Sequence, residues 1–429
     1  MRLTARHKIF LLTWITYAGF YFCRKNISIV LPLLHGVSGL SSIDLANIIA
    51  GYSFFYAVGQ FGFGFLSDRI GPKRVVGFGL LLVAGSNLLM GVRASLIWLL
   101  VFACLNGVGQ STGWSGLVKI MASWFGSRNR GVVMAWWGTN YVLGGFLATV
   151  FATWAVAQHM LLPGLGWRRG FVFPSLIVLA VAVLFFFGVD ESPKEAGLPS
   201  AAEQDELAVP ATRSGGRELK ELLAKPQLWV VSISYFFLEM CRYALMFWLP
   251  FYMVDQLRYS LPTAGYVSSL YELVGIVGAV AAGYISDRLV QSRRAPVSVV
   301  MLFGLAVVML AYPLFATYGK VGTAIVVILA GILSYGPDTL LSGAAAQDIG
   351  GEKAAASAAG IVDGIGHLGA LFSPYLVVYI STRYGWNHLF MIFAVAAFLA
   401  GAILTPMWNL KPPVQKQAQF DDEVMQPVS

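Results

Sequence analysis

Ile15-Thr-Tyr17-Ala-Gly-Phe-Tyr21-Phe-Cys23-Arg24-Lys25-Asn-Ile-Ser-Ile-Val-Leu31-Pro32 is answered, 218 residues later, by Ile233-Ser-Tyr235-Phe-Phe-Leu-Glu239-Met-Cys241-Arg242-Tyr243-Ala-Leu-Met-Phe-Trp-Leu249-Pro250. Ile, Tyr, Cys, Arg, Leu and Pro hold the same places in both stretches. Two further pairs sit 219 residues apart: Ser67-Asp68-Arg69 with Ser286-Asp287-Arg288, and Gly166-Trp167 and Phe171 with Gly385-Trp386 and Phe390. Matches in three separate places at one near-constant offset point to a duplicated unit.

Each unit is built for lipid. Of the 429 residues 57% are hydrophobic and 12% charged, and the mean hydropathy is +0.70. Soluble chains are nearer ~25% charged, so the composition excludes a disordered chain, a nucleic-acid-binding protein and an ordinary cytosolic enzyme. Apolar runs of spanning length fall at 8–33, 43–67, 75–93, 97–121, 131–158 and 168–188, then at 227–257, 262–288, 295–317, 320–347, 354–381 and 386–408. Continuous runs of this length are helices, because barrel strands alternate over ~10-residue segments. The chain thus reads as an all-α membrane protein of twelve transmembrane helices in two pseudo-symmetric six-helix bundles, residues 1–189 and 227–410. A Pro-, Gly- and charge-rich linker, 190–226, joins them, with a short amphipathic helix expected near Glu218–Leu223, and a tail covers 411–429. Met1–Lys8 carries Arg2, Arg6 and Lys8 and runs into an apolar stretch too long for a signal peptide, so it reads as an uncleaved first span. The three cysteines, Cys23, Cys104 and Cys241, lack metal-ligand spacing and form no disulfide framework.

With both termini in the cytoplasm, twenty of the 29 Lys and Arg lie on that side and six on the other. That asymmetry sets the expected orientation, in what reads as a bacterial inner membrane. The remaining three, Arg24, Lys25 and Arg242, fall inside the membrane.

Gly64-Phe-Leu-Ser-Asp68-Arg69-Ile-Gly71-Pro72-Lys73-Arg74 resembles the loop between helices 2 and 3 of the major facilitator superfamily. Asp68, Arg69, Gly71 and Arg74 are its structural residues, and Asp287 and Arg288 are their counterparts in the second repeat. Asp68 is expected to cap a helix or to pair with basic residues on a neighbour. Within that superfamily, Tyr17-Ala-Gly-Phe-Tyr21-Phe-Cys-Arg24-Lys25-Asn26 resembles the organophosphate:phosphate antiporter family. Arg242-Tyr243, Trp248-Leu-Pro250, Tyr271-Glu272, Tyr335-Gly336-Pro337 and Gly197-Leu198-Pro199 fit the same family, and the resemblance runs to about residue 410. It implies two parallel repeats about a pseudo-two-fold axis, a substrate site between them near the midplane, and exchange of a phosphorylated metabolite for inorganic phosphate by alternating access. A monomer suffices for this architecture.

A charge at the bilayer centre costs at least ~2.5–3.5 kcal/mol on insertion scales, so Arg24 and Arg242 need a reason to be there. Both lie within roughly 6 Å of the centre of their spans at ~1.5 Å per residue. They are expected to face each other across the cleft, two unpaired cations holding a phosphate from both sides with forked donors; the alternative is that each pairs permanently with an internal carboxylate. The resemblance assigns both to substrate binding. Glu239, three residues before Arg242, either pairs with it internally or meets a cationic or hydroxyl group of the substrate. The family's charged positions in spans 1 and 8 imply that Lys25 and Glu272 bridge the two halves and close one side of the cleft. Asp338 is a further acid inside a span. His367, in the run Gly360-Ile-Val-Asp363-Gly364-Ile-Gly366-His367-Leu-Gly369, stands where the family often carries a substrate-contacting tyrosine; it is either a structural hydrogen-bonder or a titrating partner of Asp363. Tyr17, Tyr21, Trp114 and Asn140 complete the candidate substrate contacts. Their hydroxyl, indole or amide donors suit phosphate or sugar oxygens, and helix packing explains the aromatics equally well.

Three positions depart from the family pattern: Gln60 replaces a lysine, Asn140 a histidine and Glu239 a tyrosine. The site is less basic and more acidic than that of the sugar-phosphate prototypes, which suits a zwitterionic phosphate or phosphonate bearing an amine. No P-loop, CxxC, HExxH or GxSxG is present, so no enzyme, cofactor or metal is expected. The expected partners are a small phosphorylated anion, inorganic phosphate and the lipid bilayer, without nucleic acid. Two other readings stay open: a transporter-like membrane sensor of external organophosphate, and a proton-coupled organic-anion symporter with Asp363, Glu272 or His367 as coupling group.

Overall fold

The computed structural model describes residues 5–125, 133–134, 136–158, 160–198 and 216–410, with the side chains of a few helical positions, Asp68 among them, outside the described set. The tail and residues 199–215 of the linker also lie outside it.

Six long helices precede the linker: α1 (Ala5–Ser38), α2 (Ser42–Ile70), α3 (Pro72–Met90), α4 (Leu96–Trp124), α5 (Thr139–Ala157) and α6 (Arg169–Gly188). Local chemistry sets their ends. Ser41 and Asp44 form a reciprocal capping box at the start of α2. Between α2 and α3 the motif seen in the sequence reduces to a single residue, Gly71, at φ 93°, followed by Pro72 at the first helical position. The Glu191 carboxylate packs against Gly71 and accepts from the Lys73 backbone N–H at 3.0 Å. Trp124 Nε1 donates to Asp190 O at 2.9 Å. The first residues of the linker are therefore fastened to the N-terminal half.

Within the linker, α7 (Gly216–Leu223) forms where the amphipathic segment was expected and lies against the second half, with Leu222 buried. The second half follows as α8 (Pro226–Asp255), α9 (Leu261–Leu273), α10 (Gly275–Tyr284), α11 (Arg294–Ala316), α12 (Gly319–Thr339), α13 (Ala346–Arg383) and α14 (Trp386–Leu404). α9 and α10 are one span interrupted at Val274, and a π turn, Ile285–Leu289, extends it. A second π turn, Leu340–Ala345, links α12 to α13. Each π turn admits an extra residue and re-aims the helix beyond it.

Ten spans among the described residues are long and apolar enough to cross a membrane. α1 and α2, of 34 and 29 residues, bring the count to twelve. Arg24, Lys25 and Asn26 lower the hydropathy of α1, so its polarity is a property of the site.

The halves meet along three pairs of helices: α1 with α8, α2 with α13, and α5 with α9. Lipid offers no hydrophobic drive between helices, so close approach and polar contacts must hold them. On α13 a Cβ at Gly369 would overlap the Phe236 carbonyl of α8, and one at Gly366 would run into the Tyr235 ring. These glycines let α13 approach α8 closely.

Candidate substrate site in the central cleft

Arg24 projects from α1 and is 6% exposed. Its Nε donates to Gln110 Oε1 at 3.3 Å and its Nη1 to the Tyr21 hydroxyl at 3.2 Å. Gln110 is held in turn by its own donation to Phe20 O at 2.8 Å. The guanidinium lies over the Tyr21 and Tyr56 rings, at 4.6 and 4.7 Å from their centroids. Nη2 is buried with no hydrogen-bond partner. No carboxylate among the described residues pairs with Arg24.

Arg242, at the equivalent place on α8, is different. One nitrogen, Nη1, donates to Glu239 and to Asp338 Oδ1, the latter at 2.9 Å. Asp338 Oδ1 also accepts from the Tyr235 hydroxyl at 2.8 Å. The expectation of two unpaired cations therefore fails at Arg242. A helix brings Glu239 and Arg242 onto one face, and the neighbouring α12 supplies a second acid. The internal pair is the reading of Glu239 that this geometry realises.

The two halves interlock through aromatic pairs beneath the arginines. Tyr56, under Arg24, stacks on His367 of α13 with centroids 5.6 Å apart and planes at 26°. Tyr335 lies 4.7 Å under Arg242 and stacks on Tyr141 of α5, at 6.4 Å and 21°. Each arginine thus rests on a tyrosine that touches the opposite half. Gln60, in the lysine position, donates to the Tyr56 hydroxyl at 2.7 Å. His367 Nδ1 lies 2.8 Å from Asp363 O and 3.5 Å from its carboxylate, and Nε2 lies 3.4 Å from the Tyr243 hydroxyl.

Lys25 and Glu272 form an ion pair across the halves, with side chains 2% and 4% exposed. Lys25 Nζ also donates to Met246 O at 3.2 Å, and Thr149 donates to Glu272 at 3.3 Å. Toward the face that carries the chain ends, Asp363 is 46% exposed and Trp114 38%. Beside Arg24, Phe247 of the second half packs on Tyr52 of the first at 6.3 Å.

The remaining candidates divide. Tyr17 packs among Tyr21, Trp114 and Trp137, at centroid distances of 5.8, 5.2 and 5.8 Å. Asn140 is fully buried on α5 with both amide atoms unpartnered. In the second-repeat loop Asp287 pairs with Arg294, which also reaches Asp348 at 3.2 Å. Asp338, Gln110, Tyr56, Tyr235 and Tyr335 are cleft residues that the sequence reading did not place in the site. The signal for Asp338 was its charge inside a span; Gln110 carried a weaker one, lying in the polar stretch before Trp114.

The cleft is charged and lies between two six-helix halves, with no metal-holding cluster among the described residues. Residues 13–362 match the model of the Major Facilitator Superfamily. The chain is 30% identical over 417 residues to the glycerol-3-phosphate transporter of Bacillus subtilis, covering 94% of this chain and 92% of that one. It is 29% identical to the membrane sensor protein UhpC of Escherichia coli over 95% and 93% of the two chains. A probable hexose phosphate transport protein of Chlamydia trachomatis is 26% identical over 94% and 91%. The crystal structure of a bacterial homologue of the human lysosomal transporter Spinster, inward-facing and unoccupied, superposes with a TM-score of 0.76 at 16% identity, over 95% of this chain and 99% of that one, a likeness of fold. The chain belongs to the Major Facilitator Superfamily, and within it to the organophosphate:phosphate antiporter family.

Proposed function

We propose that this protein carries a small phosphorylated organic anion across a bacterial inner membrane and exchanges it for inorganic phosphate by alternating access. The observation that carries this is Arg24: a buried arginine with an unpartnered donor, held over two tyrosine rings in a cleft between two repeats. A cation kept there without a carboxylate, at the cost of leaving water, suits an anionic substrate. Its planar fork matches a phosphoryl group, and Tyr21 sits within electrostatic reach of both arginines. The glycerol-3-phosphate and hexose-phosphate relatives support the organic phosphate as cargo.

Both termini are cytoplasmic in this reading, which the Lys and Arg distribution supports. Rocking of the two halves about the cleft breaks Lys25–Glu272 and opens the outer side. Residues 1–189 and 227–410 act as the two moving units, and one chain is a complete carrier. Tyr21 and Asn140 serve as neutral donors to phosphate or to the organic moiety.

The test is radiolabelled phosphate exchange in liposomes loaded with inorganic phosphate, against unlabelled glycerol 3-phosphate, glucose 6-phosphate, phosphoglycerate and an aminoalkyl phosphonate. Exchange with one dominant competitor supports the carrier and names its substrate class. The similarity to UhpC sustains a second reading, a sensor of external organophosphate; binding of one of these ligands without exchange favours it.

A further inference from the structure

We propose that the Glu239–Asp338 carboxylate pair is a proton site, and that the carrier moves its phosphorylated anion together with at least one proton. The inference rests on the reading of the cleft as an organophosphate carrier and adds the ion that accompanies the cargo.

The argument is a charge balance. Six ionisable groups lie at the centre: Arg24, Lys25, Glu239, Glu272 and Asp338, all buried, and Arg242, which is part-buried. Lys25 and Glu272 cancel each other. Arg242 serves two carboxylates through one nitrogen and leaves one negative charge in excess. Arg24 supplies the one positive charge without a carboxylate. The ionised, empty cleft is therefore neutral in sum, and any incoming anion adds uncompensated negative charge where water cannot screen it.

Arg242 can turn a guanidinium edge to a phosphoryl oxygen only by releasing Glu239, Asp338 or both. Two carboxylates set around one cation cannot both stay ionised when that cation is engaged elsewhere. One of them takes a proton from water: carboxylate and solvent proton become a neutral carboxylic acid, and the proton leaves with the anion when Arg242 returns to the pair. Tyr235, donating to Asp338, holds that acid in place during the exchange.

The charged groups around Arg242 and its two acids are Lys25, paired with Glu272 and within reach of Arg242 and Arg24, His367, within reach of Asp338, and Asp363, within reach of Tyr235. The hydroxyls near the acids are those of Tyr21, Tyr141, Tyr235, Tyr243 and Tyr271, with the Tyr335 ring under Arg242. Of these His367 is the competing proton acceptor: its Nδ1 faces the Asp363 carbonyl and carboxylate and its Nε2 the Tyr243 hydroxyl.

The purified full-length chain in weakly buffered detergent solution, at about pH 8, tests this. A phosphomonoester is a dianion there, its second ionisation lying near ~6. Adding glycerol 3-phosphate is expected to draw about one proton from solution per ligand bound, and affinity should fall about tenfold per pH unit above neutrality. The double variant Glu239→Gln, Asp338→Asn should lose the proton uptake and the pH dependence and bind more tightly at pH 8, whereas His367→Gln should keep the uptake. Binding without proton uptake in the natural chain, or uptake that persists in the double variant, overturns the proton site and leaves the carrier reading intact. Failure of both glycerol 3-phosphate and inorganic phosphate to bind at any pH overturns the carrier reading and the proton site with it.

Discussion

Lys25 of the first repeat is ion-paired with Glu272 of the second, and the two side chains are among the most deeply buried charges of the described chain. Removing one member strands the other in a low-dielectric site, which costs about 3–5 kcal/mol, whereas removing both leaves a neutral contact. Glu272→Gln should therefore lower the thermal midpoint in detergent by many degrees, and Lys25→Met with Glu272→Gln should recover most of it. Equal damage in single and double variants would show that the pair is not coupled.

Arg242 should behave differently from Arg24. Arg242→Gln leaves Glu239 and Asp338 without their shared cation, so it should destabilise the fold by about 3 kcal/mol or more. Arg24→Gln leaves no carboxylate behind and relieves an unpartnered buried donor, so its thermal midpoint should stay within a few degrees of the natural chain. Unfolding curves of the two variants check this directly; similar losses would contradict the asymmetry.

How far the sequence carried the account depends on the kind of contact. The helices were legible because hydropathy and the 218-residue repeat are one-dimensional signals. Arg24 and Arg242 were legible because an intramembrane charge demands a reason, and the Lys25–Glu272 bridge because the family resemblance implied it. The pairing of Asp338 with Arg242 was not, because it joins α8 to α12 across 96 residues and no spacing rule links them. The stacking of Tyr56 on His367 was hidden for the same reason: an aromatic in a span looks the same whether it packs on lipid, on its own half or on the other half.

Gly369 fixes how closely α13 approaches α8. A methyl there would overlap the Phe236 carbonyl, whereas one at Gly360 meets nothing within 4 Å. Gly369→Ala should cost about 1–3 kcal/mol through overpacking. Gly360→Ala should be neutral or slightly stabilising, because a helical glycine costs about 0.5–1 kcal/mol relative to alanine. Thermal midpoints of the two variants, measured side by side, distinguish a packing constraint from a general need for flexibility in this helix.

Gln60 orients Tyr56 through its hydroxyl, and Tyr56 in turn supports Arg24 and touches His367. Gln60→Ala should weaken anion binding about three- to tenfold, as expected from losing one positioning hydrogen bond worth about 1 kcal/mol. Gln60→Lys, the residue that the family resemblance implies at this position, should tighten it by adding a cation to the cleft. Equilibrium binding of glycerol 3-phosphate to the two variants tests both directions, and a tighter Gln60→Ala would contradict the role.

The central claim is that the Arg24 guanidinium holds the phosphoryl group. Its most direct test is radiolabelled phosphate exchange in phosphate-loaded liposomes by the natural chain and by Arg24→Lys. Lysine keeps the charge and removes the planar fork. The account predicts robust exchange by the natural chain and a loss of about a hundredfold or more in the variant, with its thermal midpoint unchanged. Exchange by Arg24→Lys at the natural rate would contradict it.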